Sequence, residues 1–194
     1  MKILVLAATC AALAASPAFA QVTDGDLSQT ASASTFNVTT VIPKMVRISG
    51  LEDITLNITA AQVSNSAGAQ TPSQRFCVYS NDTADGLYKI SVGGVTSAVA
   101  STTEEKFAIA GPGGSLPFGV WVSDQASNPW GGSNAVPGSF YNKKTTAGGQ
   151  SRPTTLNCNG VENASLALKI NNSRILAALQ GSYTGQLTIT VAPQ

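Results

Sequence analysis

The chain has 194 residues with 11 basic and 10 acidic side chains, a formal net charge of +1, and no histidine. So balanced a charge recruits neither nucleic acid nor an anionic membrane by long-range attraction. The missing histidine removes the Ser-His-Asp and Cys-His arrangements, the usual zinc hydrolase sites and the commonest general base.

Residues 1–20 read as a signal peptide. Lys2 supplies the positive start, "ILVLAATCAALAA" a short apolar core, and "SPAFA" the small-residue end after which signal peptidase cuts, between Ala20 and Gln21. The mature protein is therefore expected to be secreted or periplasmic. Residues 3–15 are too few to span a bilayer and no later segment is apolar for long enough, so no membrane insertion is expected.

Residues 21–34, "QVTDGDLSQTASAS", are small and polar and read as a flexible N-terminal extension. From residue 35 to residue 194 the text is that of one β-rich domain, with Thr, Ser, Val, Gly and Asn abundant and charge sparse. "TFNVTTVIPKMVRIS" is interrupted by Pro43, which predicts two strands meeting at a kink, Phe36–Ile42 and Met45–Ile48. "ITLNI" predicts a third. "RFCVYS" and "LYKISVGG" flank the turn-forming "SNDTADG" and predict a β-hairpin. Asp82 and Asp85 in that turn offer hard oxygen ligands of the kind calcium takes, but without EF-hand spacing a solvated turn is the ordinary reading.

Further on, "KFAIA" and "LPFGVWVSD" enclose the turn "GPGGS", and Phe118, Val120 and Val122 share one face with Trp121 on the other. Residues 125–153 predict a long loop with one short strand near Phe140. "ASLALKI" predicts a strand with Leu166, Leu168 and Ile170 facing together, and "NSRILAAL" one or two helical turns. In "GSYTGQLTITVAPQ", Tyr183, Gly185, Leu187, Ile189 and Val191 alternate with Gln186, Thr188 and Thr190, the period of a half-buried strand. Nine or ten short strands without a strong helix or repeat predict an all-β, immunoglobulin-like antiparallel β-sandwich.

The chemistry on offer is sparse. Cleavage of the signal leaves two cysteines, Cys77 and Cys158, and in an oxidising compartment they are expected to form a disulfide. Glu52 with Asp53 and Glu104 with Glu105 are adjacent pairs whose side chains point apart on an extended backbone, and Asp124 and Glu162 stand alone. None is a ready glycosidase dyad. "GPGGS" lacks the Lys and Ser or Thr of a phosphate loop. No catalytic residue, metal or cofactor is expected. Trp121, Trp130, Phe140 and Tyr141 offer aromatic surface of the kind a secreted sugar-binding or receptor-binding sandwich uses, which is the alternative function.

Two segments carry a family resemblance. "ALQGSYTGQLTITVAPQ" resembles the last strand of pilin subunits assembled by chaperone and usher, especially the alpha-fimbrial and spore-coat-U-like groups, and "TFNVTTVIPKMVRI" looks like the opening of an alpha-type fimbrial subunit. The resemblance covers these two ends. It implies an incomplete sandwich completed by donor-strand exchange, the N-terminal strand of one subunit filling the groove beside the last strand of the next. Phe36, Val38, Thr40 and Ile42 are then the donor side chains, and Tyr183, Leu187, Ile189 and Val191 belong to the final strand beside the acceptor groove. The implied partners are other copies of the chain or related subunits, a periplasmic chaperone and an outer-membrane usher. The implied role is a structural subunit of a surface fimbria that supports adhesion. Phe36–Ile42 reads equally as the first strand of a complete sandwich, and both readings stand at this point.

Overall fold

A computed structural model describes residues 27–94 and 104–194, which belong to two compact units divided between Ile42 and Pro43. The signal peptide and the first residues of the extension lie outside the described residues. The compact body begins at Pro43, whereas the sequence reading began it at residue 35.

In the first unit, residues 27–42 hold no helix or strand beyond an isolated bridge at Thr35. Ser28 Oγ accepts from the backbone N–H groups of Thr30 and Ala31, a local turn typical of serine. The predicted strand Phe36–Ile42 is thus corrected: the segment carries strand-like alternation but pairs with no strand among the described residues.

The second unit is a two-sheet antiparallel β-sandwich. Its strands among the described residues are β1 (Val46–Ser49), β2 (Ala69–Gln70), β3 (Ser73–Ser80), β4 (Leu87–Gly94), β5 (Phe107–Gly111), β6 (Gly114–Ser123), β7 (Ser133–Asn134), β8 (Tyr141–Lys144), β9 (Ala164–Asn171) and β10 (Leu187–Ala192). One sheet runs β1-β3-β9-β6-β5, with β2 beside β9 and β7 beside β6; the other runs β10-β4-β8. Two short helices, α1 (Ala60–Val63) and α2 (Asn172–Ala177), interrupt the connections. The predicted "ITLNI" strand is not formed.

Alternation decides which residues meet between the sheets. Phe76, Val78, Phe118, Val120, Val122 and Leu166 point inward from the larger sheet, and Tyr88, Ile90 and Val92 from the smaller, all buried in one cluster. Burial of such side chains stabilises by about 1.5–3 kcal/mol each. β3 and β4 contribute to opposite faces of this core, which corrects the predicted hairpin: their turn crosses from one sheet to the other, and β3 pairs with β1 and β9 while β4 pairs with β10 and β8. The turn residues do reverse the chain, with Thr83 and Gly86 at positive φ. The hydrogen-bond partners, however, are set by packing of two apolar faces against each other.

The "GPGGS" turn does join a hairpin. β5 and β6 pair from Phe107↔Phe118 to Gly111↔Gly114, with Gly113 and Gly114 at φ 77° and 134°, where other residues are strained. On the outer side of β3, Cys77 and Cys158 are joined by a disulfide with Cα atoms 5.8 Å apart, fastening the loop before β9 to β3. Asn163 completes the join. Its Oδ1 accepts from Val78 N–H and its Nδ2 donates to Val78 C=O, both at 2.9 Å, so a buried side chain serves β3 where β9 has not yet begun.

Glu105 is buried. It receives Arg174 from α2 through Nε at 3.0 Å and Nη2 at 2.7 Å, and Asn171 Nδ2 at 2.6 Å. Hydrogen bonding to Glu105 and its negative charge raise the Arg174 guanidinium above its ordinary value. Glu104, pointing the other way, pairs with Lys169 at 2.7 Å. Asp82 is likewise buried and ion-paired, not solvated, and among the described residues no cluster of three metal-ligating side chains is found.

Candidate functional site

Among the described residues, two strand edges of the sandwich stand open beside each other. β1 ends the larger sheet and β10 ends the smaller, each with one strand partner, and the two strands come into contact without pairing. Their inward side chains show what is missing. Val46 and Ile48 of β1 sit opposite Ser80 and Val78, and Leu187, Ile189 and Val191 of β10 opposite Gly94, Val92 and Ile90. The interior partners Val78, Ile90 and Val92 are buried, whereas all five residues of the edge strands are only half-buried while packing on the core. A sandwich edge with core-facing aliphatics half in water leaves apolar surface and backbone polar groups available to another strand.

The polar residues of β10 behave as the alternation predicted, with Thr188 and Thr190 exposed on the outer face. Tyr183 is corrected: it precedes β10 and is not part of the strand. Its ring lies against Gly111 and its hydroxyl bonds the carbonyls of Pro112 and Leu179 at 2.8 and 3.0 Å. Next to it, Thr184 exchanges two backbone hydrogen bonds with Ala110, so the chain entering β10 also covers the outer edge of β5.

One end of the open pair is fastened. Asn81 N–H donates to Met45 C=O at 3.1 Å, Met45 N–H donates to Asn81 Oδ1 at 2.6 Å, and Asn81 Nδ2 donates to Pro43 C=O at 2.8 Å. Lys44 Nζ reaches both Asp82 Oδ2, at 2.9 Å, and the backbone oxygen of Gln194 beyond β10. The Gln194 side chain in turn donates to Tyr88 C=O at 2.9 Å. Sequence reasoning missed this set, because Asn81 and Asp82 carry a turn signature that conceals their second use.

Phe36, Val38 and Ile42 are 75%, 82% and 73% exposed, and Thr40 is exposed as well. Their spacing places all four on one side of an extended chain. Trp121 and Trp130, by contrast, pack on each other with ring centroids 5.0 Å apart on the outer side of the larger sheet.

Tyr88 sits in the core beneath the smaller sheet. Burial, reinforced by the charge of Asp124, pushes its phenol well above the ordinary range. Among the described residues no helix is long and apolar enough to cross a membrane.

Comparison with family models finds none that matches, and comparison with curated proteins finds no match either. Among solved structures, a chain from a chaperone–tip adhesin complex of CFA/I fimbriae biogenesis is similar at a TM-score of 0.45 and 16% identity, over 78% of this chain and 41% of that one. This chain thus spans less than half the length of that neighbour.

Proposed function

We propose that the protein is a structural, non-enzymatic subunit of a bacterial surface fibre, assembled by β-strand addition between copies or related subunits and supporting adhesion. The observation that carries this reading is the half-buried inner faces of β1 and β10, two adjacent edges without a further strand among the described residues, beside the buried Val78, Ile90 and Val92 of the neighbouring strands. A strand added along these edges would gain backbone hydrogen bonds and bury alternate apolar side chains. Phe36, Val38, Thr40 and Ile42 offer such a set on a segment outside the compact body. The resemblance of the two ends to alpha-fimbrial and spore-coat-U-like pilins supports the same reading. It brings with it the immunoglobulin-like topology and passage through the periplasm with a chaperone and an outer-membrane usher.

The test uses the chain without residues 1–20, carrying Val38→Asp and Ile42→Asp so that its own arm cannot compete. A peptide of residues 35–43, "TFNVTTVIP", is expected to bind this acceptor one to one and to raise its unfolding temperature. A peptide with Asp at the positions of Val38 and Ile42 should do neither. Equal behaviour of the two peptides would overturn the groove reading.

A further inference from the structure

We propose that Asn81 and Lys44 are positioning residues that hold β1 and β10 together at one end of the groove and make Pro43 the fixed point at which the arm stops and the body begins. The role in groove filling rests on the proposed function; the positioning itself rests on the geometry around residues 43–45.

Asn81 extends a ladder that would otherwise end. The last register pair of β1 and β3 is Val46↔Ser80, and the next residue on each strand is Met45 and Asn81. The backbone N–H of Asn81 serves Met45 C=O. Its side-chain oxygen and nitrogen then act as a second carbonyl and a second N–H, serving Met45 N–H and Pro43 C=O. One residue thereby satisfies three backbone groups of the incoming chain. Upstream the ladder cannot grow, because Pro43 has no N–H to offer and confines Ile42 to extended conformations. A stop on one strand and a side-chain cap on the other place the boundary between the units where it is found.

Lys44 adds the link across the groove. Between two residues held by Asn81, it is presented to Asp82 on one side and to the backbone of Gln194 on the other. β1 and β10 share no ladder, so this bridge and the side-chain packing below it are what fix their separation at that end. Asp82 is itself held in place, its N–H donating to Ser80 Oγ at 3.2 Å and its C=O accepting from Leu87 N–H at 2.9 Å. The clasp is therefore built on the crossover between the two sheets. A strand entering the groove meets walls already set apart, and pulling on the arm loads β3 and β10 through residues 43–45 before it can peel β1 away.

Hydrogen exchange read by mass spectrometry on the chain without residues 1–20 tests this directly. In Asn81→Ala, the amides of Met45–Ser49 should exchange at least about tenfold faster, as expected for loss of two side-chain hydrogen bonds at a strand end, while β4, β6 and β9 keep their protection. Asn81→Asp keeps the acceptor for Met45 N–H but not the donor to Pro43, and should fall between the two. Lys44→Met should speed exchange at the end of β10 and leave Phe76–Val78 unchanged. Protection of β1 that is the same in Asn81→Ala as in the unaltered chain would overturn the assignment. A uniform loss over all strands would overturn it too, since that is the signature of an ordinary stabilising residue. The exchange readout needs no peptide, so a peptide that fails to bind counts against groove filling and leaves the positioning role intact.

Discussion

At the scale of single residues, asparagine carries more of the architecture than its reputation as a turn former suggests. Asn163 and Asn81 each stand in for a missing strand residue, one buried beside β3 and the other at the entry to β1. Neither use is legible in sequence, because a polar side chain that imitates the backbone leaves no periodicity. Cys77 and Cys158 were legible, since the two cysteines that follow the expected signal peptide have one obvious partner each. Replacing both with Ser should lower stability by up to about 4–5 kcal/mol on the chain-entropy account of a loop this long, measured by denaturant unfolding beside the non-reduced parent. Tyr88 supports a pH prediction. Its folded phenol is raised above the unfolded value, so above about pH 10 the unfolded chain releases a proton that the native chain retains. The stabilisation is complete below that pH and is lost progressively as pH rises above it toward the raised folded value. Tyr88→Phe should therefore unfold at a higher pH than the parent in an alkaline titration, while the two differ little in their pH dependence near neutrality. Parallel alkaline curves for the two proteins would refute it.

At the scale of elements, alternation located β4, β6, β9 and β10 well because each has one face against the core. It failed where alternation exists without a partner. Phe36–Ile42 has the period of a strand, yet its apolar side chains are exposed and no ladder forms among the described residues. "ITLNI" fails likewise, with Ile54 on the core and Leu56 and Ile58 exposed. The β3–β4 connection failed differently. Turn chemistry specifies that the chain reverses within a few residues, and two strands so joined can pair edge to edge or pack face to face. Here Phe76 and Val78 on one side and Tyr88, Ile90 and Val92 on the other bury their side chains together across the sandwich. β1 and β10 were then left as neighbouring edges in different sheets, a consequence of topology that no local window of sequence contains. The open edge was visible from sequence only through the family resemblance of the two ends.

At the scale of the whole molecule, the proposed function implies that a groove and an arm on the same chain would make a head-to-tail contact, and such contacts propagate into a fibre unless the rotation closes. The arm side chains at stake are Phe36, Val38 and Ile42, each able to contribute about 1.5–3 kcal/mol when moved from water into the core. Asp at positions 38 and 42 removes two of those contributions and adds two carboxylates that would have to be desolvated. The loss is at least about 3 kcal/mol, which is more than a hundredfold in dissociation constant. The unaltered chain, secreted with its assembly partners, is therefore expected to run as a ladder of detergent-resistant multimers, and the Val38→Asp, Ile42→Asp chain as a monomer. Because the substitutions leave β1 and β10 untouched, the double variant should still cap a growing end by accepting one wild-type arm. Mixing the two proteins should then shorten the ladder in proportion to the variant added. Multimers that persist in the double variant alone would show that the arm is not the donor, and a wild-type chain that stays monomeric alongside its partners would mean that the two open edges are not joined by another copy at all.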